Sequence, residues 1–151
     1  MIIFAHRGNL YGPDPRENAP AAIDMAIAKG FHVEVDIISN EKGFIMLGHD
    51  KPQYVIPNKL WSEDKYASKI IWHAKDIHAM NWAIEKGLHC FGHNVDGFVL
   101  TSMRYIWTCY PDLAGKRTII MSAEAPSLTE LPYGVCTDHP CRMKDFLDYK
   151  Y

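Results

Sequence analysis

Strand-like and helix-like segments alternate through residues 1–87 around one hairpin-like insertion, and this order constrains the fold more than any other feature of the chain. Residues 1–6, MIIFAH, form a short apolar run rich in branched side chains, and the loop RGNLYGPDPREN ends it at His6 and Arg7. The segment NAPAAIDMAIAKG then offers Asn18 as an N-cap, Pro20 in the first turn, Ile23, Ala26 and Ile27 at helical spacing, and Gly30 as the stop. Residues 31–38, FHVEVDII, alternate with Val33, Val35 and Ile37 on one face and His32, Glu34 and Asp36 on the other. KGFIMLGH reads as a further strand after a Lys-Gly turn, and SEDKYAS as a short helix capped by Ser62. A third buried strand, KIIWHAK, is followed by DIHAMNWAIEKG, a helix with Asp76 as N-cap and Gly87 as its stop.

Two successive strands joined through a helix run parallel, so the first half predicts a parallel α/β sheet or barrel with a hairpin-like insertion. From residue 88 the pattern changes to five strand-like runs, LHCFGH, DGFVLT, YIWTCY, RTIIMSA and YGVCTD, with little room for helices between them. A complete eight-fold α/β barrel takes about 250 residues. A chain of 151 residues therefore predicts a single domain spanning residues 1–151, a trimmed (β/α) barrel with reduced helices in its second half and a last helix in PCRMKDFLDYKY.

Composition narrows the partners. A net charge of −2 provides no basic stripe for a nucleic-acid backbone, so small ligands are the expected partners. Cys90, Cys109, Cys136 and Cys141 lack the paired short spacings of a zinc site and read as reduced and mostly buried. The N-terminal run meets a charged pair at positions 6 and 7, and no stretch approaches the roughly 20 apolar residues that span a bilayer. The expectation is a cytoplasmic protein without stable membrane insertion.

Glu34 and Asp36 lie two apart in a strand, so both carboxylates leave from one face and can chelate one hard cation; a solvated strand face fits the spacing equally well. His6 and His49 stand at the ends of separate predicted strands, where barrel enzymes gather their chemistry, and imidazole is suited to proton transfer near neutral pH. Arg7 offers a bidentate fork for a phosphate. His93, Trp107 and Tyr110 read as core aromatics ahead of pocket-lining residues.

AHRG, ENAPAAIDMAIAKGFHVEVDI and GFIMLGHD together resemble the glycerophosphodiester phosphodiesterase family of the phospholipase-C-like phosphodiesterase superfamily. The family pattern runs His-Arg, Pro-Glu-Asn, an alanine-rich helix ending in Gly, Glu-x-Asp and His-Asp. The chain has His6-Arg7, Glu17-Asn18, Gly30, Glu34-x-Asp36 and His49-Asp50 in that order. The likeness covers residues 1–52, extends to about residue 87 and fades beyond it, although YGVCTDHP resembles the family's closing strand and brings in Asp138.

This resemblance implies a barrel that hydrolyses a phosphodiester, with His6 and His49 as general acid and base and Arg7 as a phosphate contact. Glu34 and Asp36 then match metal ligands, while Glu17, Asn18, Asp50 and Asp138 match supporting positions. The family's following Glu-x-Lys supplies a third metal ligand and a phosphate-binding lysine; here the same places hold His73 and Lys75. Mg²⁺ or Ca²⁺ is the cation first expected, with Mn²⁺ or Zn²⁺ as alternatives because of His73, and Glu124 is an alternative third ligand. Pro gives way to Arg16, and the usual Thr and Asp to Asn40 and Lys42. The implied substrate is a small or lipid-derived phosphodiester, first a glycerophosphodiester; a phospholipid, a nucleotide-sugar diester or non-catalytic phosphate binding are the alternatives. A homodimer would cover an exposed sheet edge.

Overall fold

Strand β1 (Ile2–His6) stops where the backbone turns left-handed, at Arg7 with φ 52° and Gly8 with φ 80°. A β-carbon at Gly8 would lie 3.0 Å from the Ala22 backbone, so the loop after β1 folds directly over the start of α1 (Pro20–Ala28). β2 (His32–Ser39), the antiparallel hairpin β3 (Ile45–Leu47) and β4 (Tyr54–Val55), and the short helices α2 (Lys59–Ser62) and α3 (Asp64–Ala67) follow. The first half closes with β5 (Ile70–Ala74) and α4 (Ile77–Glu85). The second half holds β6 (Cys90–Phe91), β7 (Phe98–Leu100), β8 (Ile106–Thr108), a 3₁₀ turn (Pro111–Leu113), β9 (Thr118–Met121), β10 (Gly134–Thr137) and α5 (Pro140–Lys150). This computed structural model describes residues 1–122 and 131–150.

The parallel strands run in the order β6-β5-β2-β1-β10-β9-β8, and β7 pairs antiparallel with β8 at one edge. β2 carries two neighbours on one side: β1 pairs with residues 32–34 and β3 with residues 37–39, while β5 occupies the opposite side over 33–37. The sheet is mixed, curled and flanked by helices, a partial barrel. Its edge strands β6 and β7 share no ladder. They are joined instead through Ser102, whose N–H donates to the Cys90 carbonyl at 2.8 Å and whose Oγ accepts from the Cys90 N–H at 2.9 Å.

Strand alternation divides the core in two. Val33, Val35 and Ile37 pack with Ile23, Ala26 and Ile27 of α1 and with Ala79 and Ala83 of α4. On the other face Phe4, Ile71, Phe91, Trp107, Ile119 and Cys136 form a second buried cluster. Trp107 stacks on Phe91 with ring centroids 4.4 Å apart, which places it in the core as expected, whereas Tyr110 is half exposed. The four cysteines are free, with Cys90 and Cys136 buried and Cys109 exposed. No helix among the described residues is long and apolar enough to cross a membrane.

Two expected caps take other roles. Asn18 does not cap α1: Ala19 occupies the N-cap, and the Asn18 side chain turns inward to Asp36. Ser62 ends α2 and donates its hydroxyl back to the Asn58 carbonyl, while Glu63 precedes α3. Asp76 does cap α4, accepting from the Ala79 N–H at 2.8 Å.

Candidate metal centre

The β2 pleat sends Glu34 and Asp36 toward the same face, and the β2–β5 register sets His73 directly beside Asp36. Glu34 is 1 %, Asp36 0 % and His73 8 % exposed. His73 Nδ1 lies 3.3 Å from Glu34 Oε1 and 3.2 Å from Asp36 Oδ1. Both carboxylate oxygens are buried, and apart from the His73 Nδ1 contacts neither has a hydrogen-bond partner among the described residues. Unsatisfied buried carboxylate oxygens are costly, so convergence on one point calls for a cation or a shared proton there. The three side chains can hold a metal ion.

The remaining carboxylate oxygens face inward support. Asp36 Oδ2 lies 2.8 Å from Arg7 Nε and accepts from Asn18 Nδ2 at 3.1 Å, while the Asp36 N–H donates to Asn18 Oδ1 at 2.8 Å. Glu34 Oε2 accepts from the Arg7 N–H at 3.3 Å. Burial opposes ionisation of Asp36, yet His73, Arg7 and Asn18 outweigh it and hold its carboxyl well below the usual range. Burial likewise disfavours the His73 imidazolium, but the two carboxylates raise its pKa overall. One face of the His73 ring meets its neighbours: Phe91 at 4.4 Å and 15°, and His93 at 5.0 Å and 5°.

His6 closes one flank. Its Nδ1 lies 2.7 Å from Asp138 Oδ1 at the end of β10, and its Nε2 lies 3.9 Å from Glu34 Oε2. Burial lowers the His6 pKa, and the hydrogen bond to Asp138 with the nearby Glu34 charge more than reverses it. Asn9, buried in the first loop, donates from Nδ2 to both Asp138 Oδ1 at 2.8 Å and Glu17 Oε1 at 2.9 Å. Glu17 Oε2 in turn accepts from Arg7 Nη1 at 2.9 Å, so Arg7 bridges Glu17 and Asp36.

The opposite flank is the Gly48–Asp50 turn. Gly48 has φ 149°, and a β-carbon there would sit 2.1 Å from the Lys51 carbonyl oxygen, so the turn admits only glycine. It delivers His49, whose Nε2 lies 3.2 Å from Lys75 Nζ and whose Nδ1 lies 2.7 Å from Asp50 Oδ1. An ammonium has only protons to give, so His49 Nε2 is the acceptor and its Nδ1–H faces the largely exposed Asp50. Lys75 Nζ also stands 4.0 Å from Asp36 Oδ1.

No family model, curated protein or solved structure matches the chain. His6, Arg7, Glu17, Asn18, Glu34, Asp36, His49, His73, Lys75 and Asp138 converge through the contacts above, and Asp50 joins only at the rim. Glu124 lies outside the described residues. Two participants carry no local sequence signal of their role: Asn9 in an irregular loop, and His93, which packs on His73 with its Nδ1 buried and without a hydrogen-bond partner among the described residues.

Proposed function

We propose that the chain is a metal-dependent phosphodiesterase on a trimmed (β/α) barrel of the phospholipase-C-like type, acting first on a glycerophosphodiester to give a glycerol phosphate and an alcohol. The observation that carries this reading is the unsatisfied oxygen pair of Glu34 and Asp36, converging with His73 between two histidine flanks and beside Arg7 and Lys75. The motif order His6-Arg7, Glu34-x-Asp36, His49-Asp50 supports the same chemistry through its resemblance to the glycerophosphodiester phosphodiesterase family.

Glu34, Asp36 and His73 would hold the cation, which supplies charge to the phosphoryl oxygens and acidifies an attacking hydroxyl. Arg7 and Lys75 add positive charge for the diester's phosphate. Asp138 fixes His6 through Nδ1 and leaves Nε2 toward the cation ligands, while Lys75 and Asp50 orient His49 from its two nitrogens. One histidine removes the proton of the attacking group and the other protonates the leaving alkoxide.

A panel of glycerophosphodiesters, lysolipids and nucleotide diphosphate sugars, assayed with Mg²⁺, Ca²⁺, Mn²⁺ and Zn²⁺, tests this. Turnover should vanish with EDTA and fall about 100-fold or more in His6→Ala and His49→Ala. Phosphoester binding without cleavage, metal-independent cleavage, or variants within a few-fold of the parent would each defeat the assignment.

A further inference from the structure

We infer that His73 makes this centre selective for a first-row transition-metal dication of the Co²⁺ or Zn²⁺ class over Ca²⁺ and Mg²⁺. The inference rests on the cation site of the proposed function and concerns which ion that site accepts.

Ligand geometry comes first. Ligands about 2.0–2.2 Å from a small ion, at angles of about 90–110°, lie about 2.8–3.6 Å from one another. His73 Nδ1 stands 3.3 Å from Glu34 Oε1 and 3.2 Å from Asp36 Oδ1, inside that interval.

Denticity points the same way. Ca²⁺ gathers about 6–8 oxygens and draws on bidentate carboxylates to do so. Asp36 Oδ2 is committed to Arg7 and Asn18, and Glu34 Oε2 to the Arg7 N–H, so each carboxylate has one oxygen to give. A single imidazole nitrogen completes the protein set, a donor that suits Zn²⁺ and its neighbours and is foreign to Ca²⁺ and Mg²⁺.

Charge lessens the advantage of a hard ion. The two carboxylates sit beside two cations, with Arg7 Nε at 2.8 Å and Lys75 Nζ at 4.0 Å from Asp36. A glutamate in place of His73 would add a third buried carboxylate and favour Mg²⁺ and Ca²⁺ by field; neutral imidazole adds no negative charge to a pocket whose Arg7 is already shared with Glu17. Bond strength to nitrogen then decides the occupant. Phe91 and His93 pack on the His73 ring and fix its plane before any ion arrives.

Calorimetric titration of the metal-stripped full chain with Mg²⁺, Ca²⁺, Co²⁺ and Zn²⁺ tests the inference, with His73→Glu in parallel. Wild type should bind Co²⁺ and Zn²⁺ at least ~100-fold tighter than Ca²⁺, and His73→Glu should shrink that preference by at least ~10-fold. Because the variant introduces a third buried carboxylate that can unfold the chain, proton NMR of the Co²⁺-loaded wild type supplies a second reading: one hyperfine-shifted, solvent-exchangeable imidazole N–H. Its absence, an unchanged preference in His73→Glu, or no metal binding at all overturns the inference. Ca²⁺ or Mg²⁺ bound as tightly as Co²⁺ also overturns it while leaving the phosphodiesterase reading intact. Co²⁺ held through His73 without cleavage of any diester upholds the inference and defeats that reading.

Discussion

Replacing Asn18 by alanine should destabilise the protein more than any ordinary loop substitution. Asn18 is fully buried, has φ 61°, and holds Asp36 twice, donating to its carboxylate at 3.1 Å and accepting from its backbone N–H at 2.8 Å. Alanine strands the Asp36 N–H and removes a donor from a buried carboxylate; loss of one hydrogen bond to a charged group costs about 1.5–3 kcal/mol. The left-handed backbone adds about 1–2 kcal/mol for alanine, which asparagine tolerates through its short polar side chain. The combined effect is about 3–5 kcal/mol, a fall in Tm on the order of 10 °C for a domain of this size. Scanning calorimetry and urea unfolding read it directly. Asn18→Gly loses the same bonds without the backbone penalty, so it should recover about 1 kcal/mol relative to alanine. Asn18→Ala within about 1 kcal/mol of wild type, or glycine less stable than alanine, would refute the reasoning.

Two further perturbations probe the frame around the site. Asp76 caps α4 and also accepts from the Ser39 N–H at 2.7 Å and the Ser39 hydroxyl at 2.8 Å, tying the end of β2 to the helix. Asp76→Ala should cost about 2–3 kcal/mol, beyond the ~1 kcal/mol of a cap alone, and an equilibrium urea curve showing only the cap's share would rule out the Ser39 tie. Burial, with a smaller contribution from His32, pushes the His89 pKa down to about 4. An unfolded chain titrates that imidazole near 6.5, so between about pH 4 and 6.5 it binds more protons than the fold does, and stability drops as pH falls through that window. Urea midpoints measured from pH 7 to 4.5 should decline less steeply in His89→Gln; equal slopes would exclude His89 as a source.

Residues 31–38 were legible because period two is a property of the strand itself, and the same alternation put Glu34 and Asp36 on one face before any neighbour was known. The five runs from residue 88 onward were legible as short strand-like runs separated by only a few residues, and each contains one strand. Asn18 was misread because a capping residue and a buried amide that serves a carboxylate look alike in sequence; only the fold of the loop over α1 chooses between them. Glu34 and Asp36 could equally have faced water, and only the fold, which packs His73, Arg7 and Asn18 around them, shows that they are buried. Asn9 was invisible because its partners, Glu17 and Asp138, stand 8 and 129 positions away, and no periodicity links them. Phe91 and His93 stand two apart in the run 88–93, but that they both stack on His73 follows only from the pairing of β5 with β6.

The pairing of β1 with β10 has a consequence for how the protein is made. Ile2 to Ala5 align with Gly134 to Thr137, so one edge of the first strand stays vacant until a strand about 130 positions further along has been made. Contacts of such wide sequence separation are slow to form, because the entropy of closing the loop is lost before any contact rewards it. Glu34, Asp36 and His73 can come together as soon as β5 exists, but Asp138 reaches His6 only with the strand that slots between β1 and β9. The Glu34, Asp36 and His73 cluster can thus assemble before the second half folds, whereas the His6–Asp138 contact must wait for β10.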